Sequence, residues 1–433
     1  MNEVALTDHG FPAEWCLREG EEVADLITKG ESPTWQGFSY QTDGVLFVTS
    51  ENVRDGFLDV STPKYISHRF DEKLYRSRLR EGDVLINLVG ASIGRSCVVP
   101  TGIGSANINQ AVCLFRPSSL VCTNYISSYL QLPQVISRLL GEQVETARAN
   151  VSLRDIRRFP FVTPILPEQK KIARILATLD NLIEKTEALI AKYQAIKQGM
   201  MHDLFTRGVD SSGQLRPTHE QAPDLYKPSE FGFGMIPTEW SEGTIADFCE
   251  IHNTLRFPIS EEVRSSMQGD YRYYGPTGIL DYINEYRVEG RFVLIGEDGD
   301  HFLKFEKQHM TILADGQFNV NNHAHILSGK PECLTEWIHL FFCHRDITFH
   351  VSRQGAGRLK LNKAALQAIP MLVPKEDEQE RSYKRFKSAE KRIATETAQL
   401  RKLRKLKSGL MQDLLTGKVR VKVDEAEEVA ANA

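Results

Sequence analysis

Histidines crowd the second half of this chain: His301, His309, His323, His325, His339 and His344, with Cys343 beside the last. His339 and Cys343 are four residues apart, a zinc-ligand spacing on one helix face. Trp337, Phe341 and Phe342 flank that pair, and a packed core histidine suits such neighbours better than a metal ligand. Glu297-Asp298-Gly299-Asp300, with Glu306 further on, could be stretched into the acid cluster of a nuclease. Its spacing fits no metal-site pattern, and a turn ending a strand accounts for it. Gly355-Ala356-Gly357 lacks a third glycine two residues on, and no Gly-Lys-Ser/Thr loop occurs, so nucleotide binding has no support. No catalytic residue, metal ligand or cofactor is expected of this chain.

What remains is the chemistry of recognition. Asn319, Asn321, Asn322 and His323 fall at or near a strand. Asn and Gln can read adenine bidentately and Arg and Lys can read guanine; the competing use of such amides is to satisfy buried backbone. Arg353-Gln354-Gly355-Ala356-Gly357-Arg358-Leu359-Lys360 is a cationic loop suited to phosphates, or else a plain solvated loop. Thr146-Ala147-Arg148-Ala149-Asn150 holds the corresponding place earlier in the chain. The candidate DNA contacts are Ser92, Arg95, Asn107, Asn109, Arg148 and Asn150 in the first half. In the second half they are His301, Lys304, Asn319, Asn322, Arg353, Arg358 and Lys360.

The elements that must position these residues come in duplicate. Lys197-Gln198-Gly199-Met200-Met201-His202-Asp203-Leu204-Phe205-Thr206 resembles Lys407-Ser408-Gly409-Leu410-Met411-Gln412-Asp413-Leu414-Leu415-Thr416, an offset of 407 − 197 = 210. The same offset carries Glu168-Gln169 onto Glu378-Gln379, Pro160 onto Pro370 and Pro164 onto Pro374. A second anchor, Phe11-Pro12-Ala13-Glu14-Trp15, resembles Ile236-Pro237-Thr238-Glu239-Trp240 at an offset of 240 − 15 = 225. The stretches between anchors differ. The plan is globule, long helix, linker, globule, long helix.

In the first helix Ile172, Leu176, Leu179, Ile183, Ile190, Tyr193, Met200 and Leu204 follow the alternation of four and three that marks a coiled-coil seam. Phe386, Ala389, Ile393, Leu400, Leu403, Leu410 and Leu414 do so in the second, with Glu396 as the flaw. Pro167 and Glu168 suit a helix start, as do Glu376, Asp377 and Glu378. Each helix should run roughly 38 residues, about 57 Å. Because the second globule connects the end of one helix to the start of the other, an antiparallel pair is the simplest arrangement, with a globule at each end of the rod. Gly199 and Gly409 sit at equivalent interior positions, where glycine costs ~1 kcal/mol against alanine; either they are tolerated, or the partner helix or another subunit packs closely there. The basic run on the second helix, from Lys384 to Lys407, suits a solvated face. Val419–Val423 alternates like a short strand. In the globules, strand-like runs such as Gly44–Val48, Asp83–Gly90 and Arg291–Gly299, with helices expected over Asn124–Leu140 and Leu334–Arg345, indicate mixed α/β modules. The expected layout is a globule over 1–165, helix 166–208, linker 209–235, globule 236–375, helix 376–418 and tail 419–433.

At 433 residues, with 41% hydrophobic and 25% charged residues, the chain is globular and holds more than one domain. Its net charge of −4 gives no overall basic signature, so nucleic-acid binding would rest on local patches. Seven scattered cysteines without a CxxC pair point to a reducing compartment, and no signal peptide or spanning segment is evident, so a cytoplasmic location is expected.

Two diverged globules alternating with two shared helices resemble the specificity subunits of Type I restriction–modification enzymes. The matching pieces are Ile236-Pro237-x-x-Trp240, Ile165-Leu166-Pro167-Glu168-Gln169-Lys170-Lys171-Ile172, the helix end from Gly199-Met200-Met201 to Thr206, Ile295-Gly296-Glu297-Asp298-Gly299 and Val320-Asn321-Asn322-His323-Ala324-His325. The second copy departs at Val373-Pro374-Lys375-Glu376-Asp377, where the proline-rich approach to the helix is degraded. The resemblance implies two mixed α/β target-recognition domains separated by two antiparallel coiled-coil helices in a pseudo-twofold internal repeat. Each domain would read one half of a split, asymmetric double-stranded DNA target. The helices would set the gap and dock two methyltransferase subunits that use S-adenosylmethionine, with Ile183, Ile190, Tyr193, Gly199, Leu400, Leu403 and Gly409 as interface residues. Two restriction–translocation subunits using ATP and magnesium would join them, leaving this chain without catalysis of its own. The rivals are a coiled-coil scaffold that binds only proteins and a self-contained nuclease.

Overall fold

The computed structural model describes residues 11–141, 150–354 and 358–423. They form two compact units, one of 1–187 with 398–433 and the other of 188–397.

The first unit contains strands β1 (Cys16–Glu19), β2 (Ala24–Lys29), β3 (Val45–Val48) and β4 (Tyr65–Ile66), helix α1 (His68–Lys73), then β5 (Val84–Asn87), β6 (Ser96–Val98), β7 (Ala106–Ile108) and β8 (Val112–Pro117). Helices α2 (Thr123–Leu130), α3 (Pro133–Leu140) and α4 (Leu153–Arg158) and strand β9 (Pro160–Thr163) follow, and of the long helix α5 (Leu166–Thr206) the residues up to 187 belong to this unit. A four-stranded antiparallel sheet runs β2-β8-β5-β6, and a three-stranded sheet runs β4-β3-β7 with β3 and β7 parallel. Side chains alternate across a strand, so Val84 and Ile86 of β5 enter the core against Tyr125, Tyr129 and Ile172, while Leu85 enters another cluster with Leu114 and Cys97. The single helix expected over 124–140 is two. Pro133 lacks an amide hydrogen and cannot continue α2, and it starts α3 in the first turn, where proline is tolerated.

The second unit contains β10 (Tyr226–Pro228), β11 (Met235–Pro237), β12 (Ser241–Thr244), α6 (Ile245–Phe248), β13 (Cys249–Ile251), α7 (Glu261–Ser265), β14 (Gln268–Tyr274), β15 (Ile279–Ile283) and β16 (Val288–Gly296). Then come β17 (Thr311–Val320), β18 (Ala324–Gly329), α8 (Thr335–Phe342), β19 (Ser352–Gln354), β20 (Arg358–Lys360), α9 (Lys363–Gln367), β21 (Pro370–Val373) and, of the second long helix α10 (Glu376–Leu415), the residues up to 397. A six-stranded sheet runs β13-β18-β16-β17-β14-β15, with β14 and β17 its parallel pair. Alternation again divides the sheet: Val293 and Ile295 face the cluster around Trp337 of α8, and Leu294 faces the one around Phe318.

The repeat is written into both units. β1 pairs with β9 and β12 with β21, and Cys16↔Thr163 becomes Ser241↔Val373 under the two sequence offsets. Each globule therefore closes on itself just before its long helix. A clasp fixes each closure. Trp15 Nε1 donates to Glu168 at 3.2 Å, and Arg420 Nε donates to the same carboxylate at 2.7 Å. In the second unit Trp240 Nε1 donates to Glu378 at 3.2 Å, and Arg216 grips it with two bonds of 2.6 and 2.8 Å. The next residue does equal work twice. Gln169 donates to Pro164 O and accepts from Cys122 N; Gln379 donates to Pro374 O and accepts from Leu334 N.

Within each unit the long helices run antiparallel. In the first, Asp180 pairs with Lys407 and Glu187 with Arg404, so partners fall along α10 as they rise along α5. In the second, Lys197 pairs with Glu390 at 2.7 Å, the same pair as Lys407–Asp180 shifted by 210. Ile172, Leu176, Leu179 and Leu204 of the expected seam are buried, and Met201 rather than Met200 is the more buried of its pair. The expected strand at 419–423 is absent: this segment has no strand neighbour, and Arg420 is committed to Glu168 and to Glu14. No described helix is long and apolar enough to cross a membrane.

Candidate nucleic-acid interface

The two parallel strand pairs carry the same residue at the same register: Asn107 opposite Phe47 and Asn319 opposite Tyr273. Both asparagines are wholly buried. Asn107 donates to Asp71 and to Leu74 O and accepts from Ser77 and Ile108 N, which uses all its capacity. Asn319 donates to Glu285 O at 2.7 Å. They hold the sheets together and present nothing to a base edge, which corrects the expectation for both. Two residues on, Asn109 accepts from Ala111 N at 3.0 Å and Asn321 from His323 N at 2.9 Å, so each closes a turn with its own side chain. Asn107-Ile108-Asn109 and Asn319-Val320-Asn321 are thus a second internal repeat, one that sequence comparison overlooked. His301 is also buried, its ring tilted against Phe302 with centroids 4.1 Å apart. Burial lowers its imidazole pKa, and a base contact from it is ruled out in this conformation.

Other candidates gather at one end of each globule. In the second unit, the turn after β17 exposes Asn322 and half-exposes His323, whose Nδ1 lies 2.7 Å from Asp298. The Asp298 backbone lies antiparallel to that of Lys360 on β20, and β20 pairs with β19, the two strands carrying the exposed Arg353 and Arg358. The turn Asp300–Lys304, with Lys304 exposed, packs against β20. In the first unit, half-buried Ser92 and Arg95 lie on the turn after β5, with Arg95 3.9 Å from Asp55. Exposed Asn150 bridges to Val89, and Val151 N donates to Leu88 O, so this turn and Asn150 come together. Arg148 and Gly355–Gly357 lie outside the described residues.

Of the acid cluster, Glu297 is held by cations. Glu297 lies 2.8 Å from Arg256 and 3.6 Å from Lys360. His325, beside them, is buried; its Nε2 donates to Leu361 O, so Nδ1 accepts from Asn253 and Arg256. That pattern requires the neutral ring, and burial lowers its pKa accordingly. His339 and Cys343 do not act as a pair: His339 meets Thr311 at 3.0 Å, and Cys343 donates to Leu340 O. Burial takes the His339 imidazole down to about 4 and pushes the Cys343 thiol up to about 12. Arg256 was not foreseen, nor were the exposed aromatics Trp35 and Phe349; the latter is 91% exposed on the loop before β19. A bare aromatic next to a cationic strand pair suits stacking on a base. Of the expected subunit-contact residues, Ile183, Ile190, Tyr193 and Leu403 are half-buried, Leu400 is buried, and Gly199 and Gly409 are exposed.

The family described as Type I restriction modification DNA specificity domain matches residues 14–194 and 237–405. The chain belongs to that family. Over 95% of its length and 95% of the relative's, it is 22% identical to a putative type I restriction enzyme specificity subunit (MjaX) of Methanocaldococcus jannaschii. It is 24% identical to the MjaVIII specificity subunit of the same organism over 96% of this chain and 95% of that one. A putative specificity subunit of Haemophilus influenzae is 35% identical, but over only 31% of this chain and 33% of its own length. The fold matches the crystal structure of a type I restriction–modification S subunit from M. genitalium, covering 98% of this chain and 99% of that one, with a TM-score of 0.59 at 13% identity. The two family segments each begin at the globule and run into a long helix, as the repeat does.

Proposed function

We propose that this chain is the subunit that chooses the DNA sequence for a type I restriction–modification complex, each globule reading one half of a bipartite, asymmetric target. The recognition domains are taken as 1–165 and 236–375. The observation that carries this reading is the duplicated plan: two globules of one design, each closed by a strand pair and a Trp–Glu–Arg clasp, but with different side chains on the exposed end. Repeated scaffolds with different tips suit two half-sites that differ. Asn322, Arg353, Arg358, Lys360 and Lys304 are assigned to contacts in one half, and Ser92, Arg95, Asn109, Asn150 and Arg148 in the other. Methyl transfer and cleavage belong to partners: two methyltransferase subunits binding S-adenosylmethionine on the long helices, and two restriction subunits using ATP and magnesium.

The test is an exchange of the segment from about Pro237 to Pro370 with that of another family member. The segment carries β12 with it, whose pairing with β21 would have to re-form across the junction at Pro370, and the long helices are left intact. Mapping of methylated adenines in a host carrying the matching methyltransferase should show one half-site changed and the other kept. A change in both would overturn independent reading. Salt-dependent, sequence-selective DNA binding separates the proposal from a protein-only scaffold.

A further inference from the structure

Arg345, just after α8, is a cation without a carboxylate. Its guanidinium carbon lies 3.7 Å from the Phe341 ring centre, 5.4 Å from Phe205 and 5.6 Å from Phe233. Nε donates to Phe341 O at 3.2 Å; among the described residues neither terminal nitrogen has a protein acceptor. Burial pulls the guanidinium pKa down to about 10. Contact with the three aromatic faces favours a cation at this place. Arg345 is half-buried and its terminal nitrogens are not sealed from water, so they are open to an anion that enters beside them.

A cavity of about 1170 Å³ lies beside Arg345, wholly within the second unit. Lys197, Lys307, His309 and His344 supply its polar wall, and Met201, Phe205, Phe341 and Ile393 its apolar one. Two acids also line it. Glu390 is occupied, at 2.7 Å from Lys197 and 2.9 Å from His309. Only Glu306 is left to face Arg345 and Lys307.

We propose that this cavity binds a small organic anion, a carboxylate or phosphate carried on an apolar body. The guanidinium fork would take two oxygens of the anion, Lys307 would add a point charge, and the Phe205–Phe341 wall would cover the body. The site is distinct from the nucleic-acid face and does not depend on the function proposed above.

Calorimetry on the full chain tests it, with phenyl phosphate and benzoate as probes and inorganic phosphate as the control for the headgroup alone. Phenyl phosphate should bind, and Arg345→Met, which keeps the stem among the rings, should weaken binding at least tenfold. Lys307→Glu, on the surface, should weaken it about fivefold and supplies the readout if Arg345→Met fails to fold. Inorganic phosphate should bind at least tenfold more weakly than phenyl phosphate, and the relative strength of benzoate tells which headgroup the fork prefers. No heat with either aromatic probe at millimolar concentration, or undiminished binding in both variants, overturns the site. Equal affinity for inorganic and phenyl phosphate overturns its apolar half.

Discussion

Glu168 and Glu378 occupy equivalent positions but bear different loads. Arg216 is 8% exposed, and its side chain has Glu378 as its main counter-charge, with half-exposed Glu239 at 3.2 Å as a lesser one. Burial works against the charged guanidinium, but the Glu378 bonds outweigh it and raise the pKa. In the first unit the Arg420 side chain is 30% exposed and also reaches Glu14, so water can take over part of what Glu168 supplies. Glu378→Gln should therefore destabilise the chain by about 3 kcal/mol, the usual cost of orphaning a buried ion. Glu168→Gln should cost roughly 1 kcal/mol, in the range of a part-exposed pair. Chemical denaturation of the two variants checks the order, and equal losses would mean that the clasps are not graded by burial. Nothing in the sequence ranked them, since both read only as an acid in a first helical turn. The same limit applies to the amides. Asn107, Asn319 and Asn322 are one residue type in similar sequence surroundings, and what separates the buried two, on strands, from the exposed one, on a turn, is a parallel strand partner far away in the chain.

The long helices were the most legible elements, because a period sustained over ten turns survives local errors. Shorter elements failed where a single residue decided: Pro133 divided one expected helix, and an ion pair drew Arg420 away from any strand. The seam's strength is uneven. Leu400 is 9% exposed while Ile183 is only half-buried. A charge at a buried position costs several kcal/mol unless paired, so Leu400→Asp should unfold or disassemble the chain well before Ile183→Asp does, as gel filtration with the methyltransferase subunit would show. The two glycines separate the roles of chain and partner. A Cβ built at Gly199 or Gly409 meets nothing within 4 Å, so close packing of the partner helix is not their reason. Gly199→Ala should stabilise the isolated chain by up to ~1 kcal/mol. If another subunit packs there, the same change should weaken assembly, and a thermal scan beside a binding titration reads both at once. Gain in stability with unchanged assembly would leave Gly199 as tolerated drift.

Across the whole molecule, histidine is distributed unequally. Of twelve histidines, ten lie between 188 and 397, and the first unit has only exposed His68 among its described residues. Burial lowers the pKa of His301, His325, His339 and His344, with His339 reaching about 4. In the unfolded chain such rings take up protons near pH 6.5. Below that pH the unfolded state binds more protons than the folded one, so stability falls with pH until the folded groups titrate. For His339 the window runs from about 6.5 to 4, and the loss is roughly 1.4 kcal/mol per pH unit within it. Glu390 acts later. Burial favours its neutral form, but hydrogen bonds from His309 and Lys197 win and hold it at about 2, so its contribution fades only as pH drops from the ordinary glutamate range toward that value. The second unit should therefore lose hydrogen-exchange protection between pH 6.5 and 4.5, once intrinsic exchange rates are corrected, while the first keeps it. His339→Gln, which retains a polar contact for Thr311 without a titrating ring, should flatten that slope by about one proton. Simultaneous loss of protection in both units, or an unchanged slope in the variant, would show that buried imidazoles do not set the acid limit.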